Sequence, residues 1–141
     1  MNNTFLIDFE TTGLNPYHDE IIEFAIKKYN DVSHIQSLVK PNKTFLIPPK
    51  ITVITGITTQ MIFEGQDVID SIVATEMMFN YLNDTYDGNG KIYLIAHNGI
   101  PFDFVYLRTL VKNYCIQKNM APKDIDPTME DIYEPPFEPE P

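Results

Sequence analysis

Asp8 and Glu10 stand two residues apart in the run Phe5-Leu6-Ile7-Asp8-Phe9-Glu10, where one set of alternate positions is apolar. In an extended strand that spacing puts both carboxylates on one face, with Cβ atoms roughly 7 Å apart. Two negative charges so placed repel each other unless a cation lies between them. Hard divalent ions such as Mg²⁺ or Mn²⁺ take oxygen ligands of this kind while keeping several waters and phosphate oxygens. The pair reads either as part of a metal site or as a solvated acidic face, and these two residues alone leave both open.

The elements that must hold them follow from periodicity. Residues 4–10 alternate strictly and predict a strand. Residues 20–29 and 33–39 are rich in β-branched and aromatic side chains, with Asn30-Asp31 as the turn between them, so the opening third predicts a three-strand antiparallel meander. Pro41, Pro48 and Pro49 punctuate a loop, and residues 50–54 and 58–62 around Gly56 each predict a short helix. Asp67 stands as an N-cap with Asp70 three positions on. Ile69, Ile72, Val73, Met77 and Tyr81 then recur at helical spacing and predict a longer, core-facing helix. Beyond Asp87-Gly88-Asn89-Gly90, the apolar run 92–96 predicts a strand covered on both faces, central in its sheet. Pro101 suits the first turn of a last helix, whose buried stripe is Phe104, Leu107, Leu110 and Val111. Strands and helices in this order describe an α/β domain with a mixed sheet.

The chain of 141 residues is 43% apolar and 21% charged, the size and composition of one folded domain. No apolar run approaches the roughly 20 residues of a membrane span, and no basic segment precedes Phe5, so a soluble, intracellular protein without membrane partners is expected. The single cysteine, Cys115, excludes an intramolecular disulfide and a thiolate zinc cluster, and reads as a buried thiol. The net charge of −10 divides unevenly: residues 1–123 carry −3, and residues 124–141 carry −7 with five of the eleven prolines. That boundary separates a folded domain, 1–123, from an acidic Pro-rich tail, 124–141, read as a solubilising end or a nucleic-acid mimic. Lys40, Lys43, Lys50, Arg108 and Lys112 are candidates for phosphate contact or ordinary solvated lysines and arginine.

Residues 5–16, FLIDFETTGLNP, are similar to the first motif of the DEDD superfamily of 3′-to-5′ exonucleases, and residues 92–107, IYLIAHNGIPFDFVYL, resemble its second motif. Residues 19–25 and 48–60 look like the family's second strand and its Ile-Thr-Gly-Ile loop, so the resemblance covers about residues 4–113 and points to the proofreading-subunit-like, DEDDh branch. It implies a ribonuclease-H-like mixed sheet: a three-strand antiparallel meander, one or two parallel strands and flanking helices. It also implies Asp8, Glu10 and Asp103 as catalytic metal ligands, holding two Mg²⁺ or Mn²⁺ ions about 4 Å apart for phosphodiester hydrolysis at a nucleic-acid 3′ end, single-stranded by preference. Bound divalent cations would reconcile an acidic chain with a polyanion.

By the same resemblance Thr11, Thr12, Gly13, Leu14, Ile54, His97, Asn98 and Phe102 line the terminal nucleotide. Each has a structural alternative: turn formation for the threonines, organisation of the turn for His97 and Asn98, and core burial for Ile54 and Phe102, as for a possible base-stacking Phe9. The family's third motif places a histidine five residues, or a tyrosine four residues, before a last metal-binding aspartate. Positions five after His18, His34 and His97 hold Glu23, Val39 and Phe102, and no tyrosine has an aspartate four residues on. The resemblance therefore implies a C-terminally truncated domain whose uncovered apolar surface predicts marginal stability, oligomerisation or completion by another chain, with a polymerase as an alternative partner. A substitute metal ligand from Glu130 or Asp131 is the exception to a site short of one carboxylate. It further implies weak or lost hydrolysis, the alternative being a non-catalytic module that binds nucleic acid or protein.

Overall fold

The computed structural model describes residues 3–97, 99 and 101–120; Asn98, Glu130, Asp131 and the acidic tail lie outside them. Among the described residues five strands and four helices follow in the order β1 Thr4–Thr11, β2 Ile21–Lys28, β3 His34–Lys40, α1 Pro49–Thr55, α2 Thr59–Glu64, β4 Val68–Asp70, α3 Ser71–Thr85, β5 Tyr93–Ile95 and α4 Asp103–Lys118. The sheet runs β4-β3-β2-β1-β5. The three-strand meander is antiparallel, while β4 joins β3 and β5 joins β1 in parallel. This is the mixed sheet with flanking helices that the sequence leads one to expect.

Alternation along β1 sorts its side chains. Phe5, Ile7 and Phe9 are buried under α3 and α4 in a core shared with Phe24, Ile26, Tyr81, Tyr106, Leu110 and Val111. Leu6, Asp8 and Glu10 face the other way. A bulge decides where the second, smaller core forms. Glu10 pairs with Glu23 but Thr11 pairs with Ile21, so Ile22 is the extra residue on β2. The shift turns Ile21 toward the main core and re-aims Ile22 into a cluster with Ile47 and with Ile51, Ile57 and Ile62 of the α1–α2 region, against which Leu38 packs. The short helices thereby sit on the face that carries the carboxylates.

Three expectations need correction. The long helix is capped by Asp70, whose side chain accepts from the Val73 amide at 2.8 Å, and not by Asp67; residues 68–70 form β4 instead. Its buried face is then Ala74, Thr75, Met78, Tyr81 and Leu82, which leaves Val73 exposed. The apolar run expected at the centre of the sheet forms β5, which among the described residues pairs with β1 alone. Tyr93 and Ile95 are 58% and 46% exposed beside exposed Leu6. Residues 92, 94 and 96 pack against the core, so the run reflects one covered face, and its other apolar side chains stand in solvent. The last helix begins at Asp103, two residues beyond Pro101, and buries Cys115 as expected.

Candidate active site

The end of β1 and the start of α4 meet because β5 is short. Its pairing with β1 stops at Leu6. Farther along, the Phe9 amide points away from β2 and has no strand to bond. The Asp103 carboxylate fills that place, accepting the Phe9 N–H at 3.1 Å. Asp103 is 2% exposed. Asp8 and Glu10 flank Phe9 on the opposite face of the strand, Asp8 exposed and Glu10 half-buried.

The carboxylates act on one another. Burial above all, then the charges of Asp8, Glu23 and Asp103, hold Glu10 above the ordinary carboxylate value. Asp103 is also raised, chiefly by burial and further by Asp8, against the lowering effects of the Phe9 N–H bond and of His97. They are neighbours rather than a closed cluster: among the described residues, no three His, Cys, Asp or Glu side chains are gathered as a ready-made metal site. The donor set is nonetheless all carboxylate oxygen, mutually repelling and in part desolvated, which is the chemistry that suits a hard divalent cation.

The loop between β1 and β2 is closed by side chains that periodicity does not single out. Asp19 accepts from the Thr12 hydroxyl at 3.0 Å and from the Asn15 amide at 2.9 Å. A Cβ added to Gly13 would lie 2.3 Å from the Asp19 carboxylate, which would have to shift to admit it. Thr12 also accepts the Glu20 amide at 3.0 Å, and Thr11 donates to the Gly13 carbonyl at 2.5 Å, so both threonine hydroxyls are engaged within the turn. The Gly13 carbonyl takes a second donor, the Tyr106 hydroxyl, at 2.8 Å. Burial pushes Tyr106 up to about 12, which keeps it a proton donor.

The remaining candidates divide by exposure. Leu14 and Ile54 stand 85% and 77% exposed, one on this loop and the other on α1. His97 is exposed in the turn after β5. Phe102, half-buried at the N-cap of α4, meets the Tyr106 ring edge-on at 4.9 Å. Phe9 is a core residue and is not available to stack on a base. Of the basic candidates, Lys40 lies over the Phe63 ring at 5.6 Å, and Lys43 gives its backbone amide to Glu20. Sequence reasoning passed over Glu23, Asp19, Glu20 and Tyr106. Asp19, four residues after Asn15-Pro16, was the one with a local signal, since acidic residues often close such turns.

Comparison with known proteins agrees with the fold. The model of the RNase_T family, described as Exonuclease, matches residues 5–126. A DNA polymerase III PolC-type from Mycoplasma genitalium is 40% identical over 118 residues, covering 81% of this chain and 7% of the relative. Exonuclease DPD1, chloroplastic/mitochondrial, of Arabidopsis thaliana is 31% identical over 103 residues, or 71% of this chain and 31% of its own. The chain thus spans a small part of the curated relatives it matches. Among solved structures, E. coli Exonuclease I in complex with a dT13 oligonucleotide superposes with a TM-score of 0.65 at 19% identity, over 86% of this chain and 25% of that one, which is a likeness of fold.

Proposed function

The chain belongs to the RNase_T exonuclease family, and on that premise we propose that it removes nucleotides from the 3′ end of DNA by phosphodiester hydrolysis, with Asp8, Glu10 and Asp103 as the catalytic carboxylates. The observation that carries the reading is the Asp103 carboxylate held by the Phe9 amide, in the strand segment that bears Asp8 and Glu10. The PolC-type relatives support DNA as the substrate and a polymerase as the working partner.

Asp8, Glu10 and Asp103 would hold two divalent cations, Mg²⁺ or Mn²⁺, which when bound supply charge neutralisation and an activated water. The chain's own part is positional. The Phe9 N–H fixes one oxygen of Asp103. Burial, and after it the charges of Asp8, Glu23 and Asp103, make the anionic form of Glu10 costly without a counter-charge. Exposed Leu14 and Ile54 offer apolar contact to a terminal nucleotide, with Thr11, Thr12, Gly13, His97 and Phe102 as its further contacts; Asn98, the other candidate, lies outside the described residues.

A second reading is that the chain binds a 3′ end without cutting it. Incubation with 3′-labelled single-stranded DNA and Mn²⁺, beside Asp8→Ala, separates the two. Release of label by the wild type alone supports hydrolysis. Metal-dependent binding without release supports the second reading, and equal release by both proteins refutes catalysis at these carboxylates.

A further inference from the structure

Two hydroxyls converge on one carbonyl oxygen. Gly13 accepts from Thr11 at 2.5 Å and from Tyr106 at 2.8 Å, the first from the end of β1 and the second from α4. Tyr106 lies three residues after Asp103, on the same side of that helix, and is 2% exposed. Asp19 closes the loop on itself through Thr12 and Asn15. A cavity of about 50 Å³ lies on the α4 side, lined in part by Asp19, Asn42, Tyr106, Thr109 and Asn113. The Tyr106 hydroxyl bond spans from the helix to the loop beside that cavity and gives the two a directional register.

We propose that Tyr106 is a positioning residue, whose hydroxyl sets the Gly13–Leu14 peptide relative to the helix that carries Asp103. The peptide is trans, so a carbonyl turned toward Tyr106 sends the Leu14 N–H the opposite way, away from that hydroxyl. The exposed Leu14 side chain leaves the backbone at the same point. What the loop holds, a terminal nucleotide, rests on the exonuclease reading; that the hydroxyl holds the loop does not.

Tyr106→Phe removes the oxygen and keeps the ring against Phe102. In the full chain with 3′-labelled single-stranded DNA and Mn²⁺, the expected result is a KM raised about fivefold, the worth of one hydrogen bond, with kcat within about twofold. The amides of Thr12 and Asp19, which bond to the Glu20 and Asn15 carbonyls at 2.9 and 2.6 Å, should exchange their hydrogens faster in the variant. Unchanged KM, a fall in kcat at constant KM, or unchanged exchange in these two amides overturns the proposal. If the wild type neither binds nor cuts the oligonucleotide, the exonuclease reading fails, and the exchange comparison alone decides: faster exchange upholds the anchor and equal exchange removes it.

Discussion

The Asp103 carboxylate takes the Phe9 amide at 3.1 Å, joining residues 94 positions apart at the point where β5 stops and β1 continues. One bond thus satisfies an otherwise orphaned strand donor and fixes an acidic group near two others. The two roles separate by substitution. Asp103→Asn keeps an acceptor for Phe9 and should melt close to the wild type, whereas Asp103→Ala strands the amide and should cost about 1–3 kcal/mol. Both should lose hydrolysis by a factor on the order of 10² or more. Thermal melts beside label release test this, and an active Asp103→Asn chain would remove the carboxylate from the chemistry.

Glu10 and Asp103 carry pKa values raised above 4.5 and 3.8, in each case mainly by burial. A group whose folded value exceeds its unfolded one binds more protons when folded. Its neutral form therefore favours the fold at low pH, and stability falls as pH climbs from the ordinary value through the raised one. In chelator, Glu10→Gln should gain on the wild type in melting temperature as pH rises from about 4 toward neutrality. Mg²⁺ should raise the wild-type midpoint at neutral pH and leave Glu10→Gln nearly unmoved. A wild type that gains on the variant with rising pH in chelator would reverse the assigned sign.

Gly13→Ala places a methyl group 2.3 Å from the Asp19 carboxylate. Asp19 must then release Thr12 or Asn15, at a cost of about 2 kcal/mol. In an Asp19→Ala background the clash disappears, so the second substitution should cost much less than the first, and a double-mutant cycle in urea reads the coupling. Additive costs would mean that the loop moves aside without strain.

Much of this arrangement is legible in the sequence because it lies in local pattern. The alternation of β1, the Asn30-Asp31 turn and the helical stripe on α4 each depend on near neighbours, and the two acidic motifs are contiguous strings. What escapes is what pairing creates. β4 has three residues and no signature apart from its parallel partner β3. The bulge at Ile22 exists only in the pairing with β1, and the same pairing is what places Glu23 opposite Glu10. Tyr106 reads as one more apolar position of a helix until the Gly13 carbonyl is found at its hydroxyl. The edge position of β5 escapes because apolar residues on one covered face look, in one dimension, like burial on two.

Glu20 gathers the segment after β3. Its carboxylate accepts the amides of Asn42, Lys43 and Thr44 and the Thr44 hydroxyl, at 2.7 to 3.1 Å. Charge-assisted bonds of this kind are worth more than neutral ones, so Glu20→Ala should destabilise the chain by about 1–3 kcal/mol. The loss should exceed that of Glu20→Gln, which can still accept. Equal melting of the two variants would show that the segment is held by other contacts.

Leu14 and Ile54 are large apolar side chains standing 85% and 77% exposed. Burial cannot account for them, since truncating a side chain already in water costs within about 0.5 kcal/mol. If they grip the terminal nucleotide, their value shows only with substrate present. Leu14→Ala and Ile54→Ala should each leave the melting temperature unchanged and raise KM for single-stranded DNA about tenfold, the worth of a base contact of about 1–3 kcal/mol. The loss should be greater for a chain ending in a purine, which offers more surface, than for one ending in a pyrimidine. Variants with lowered melting temperatures and an unaltered KM would assign both residues to the protein's own packing and leave the groove without its apolar walls.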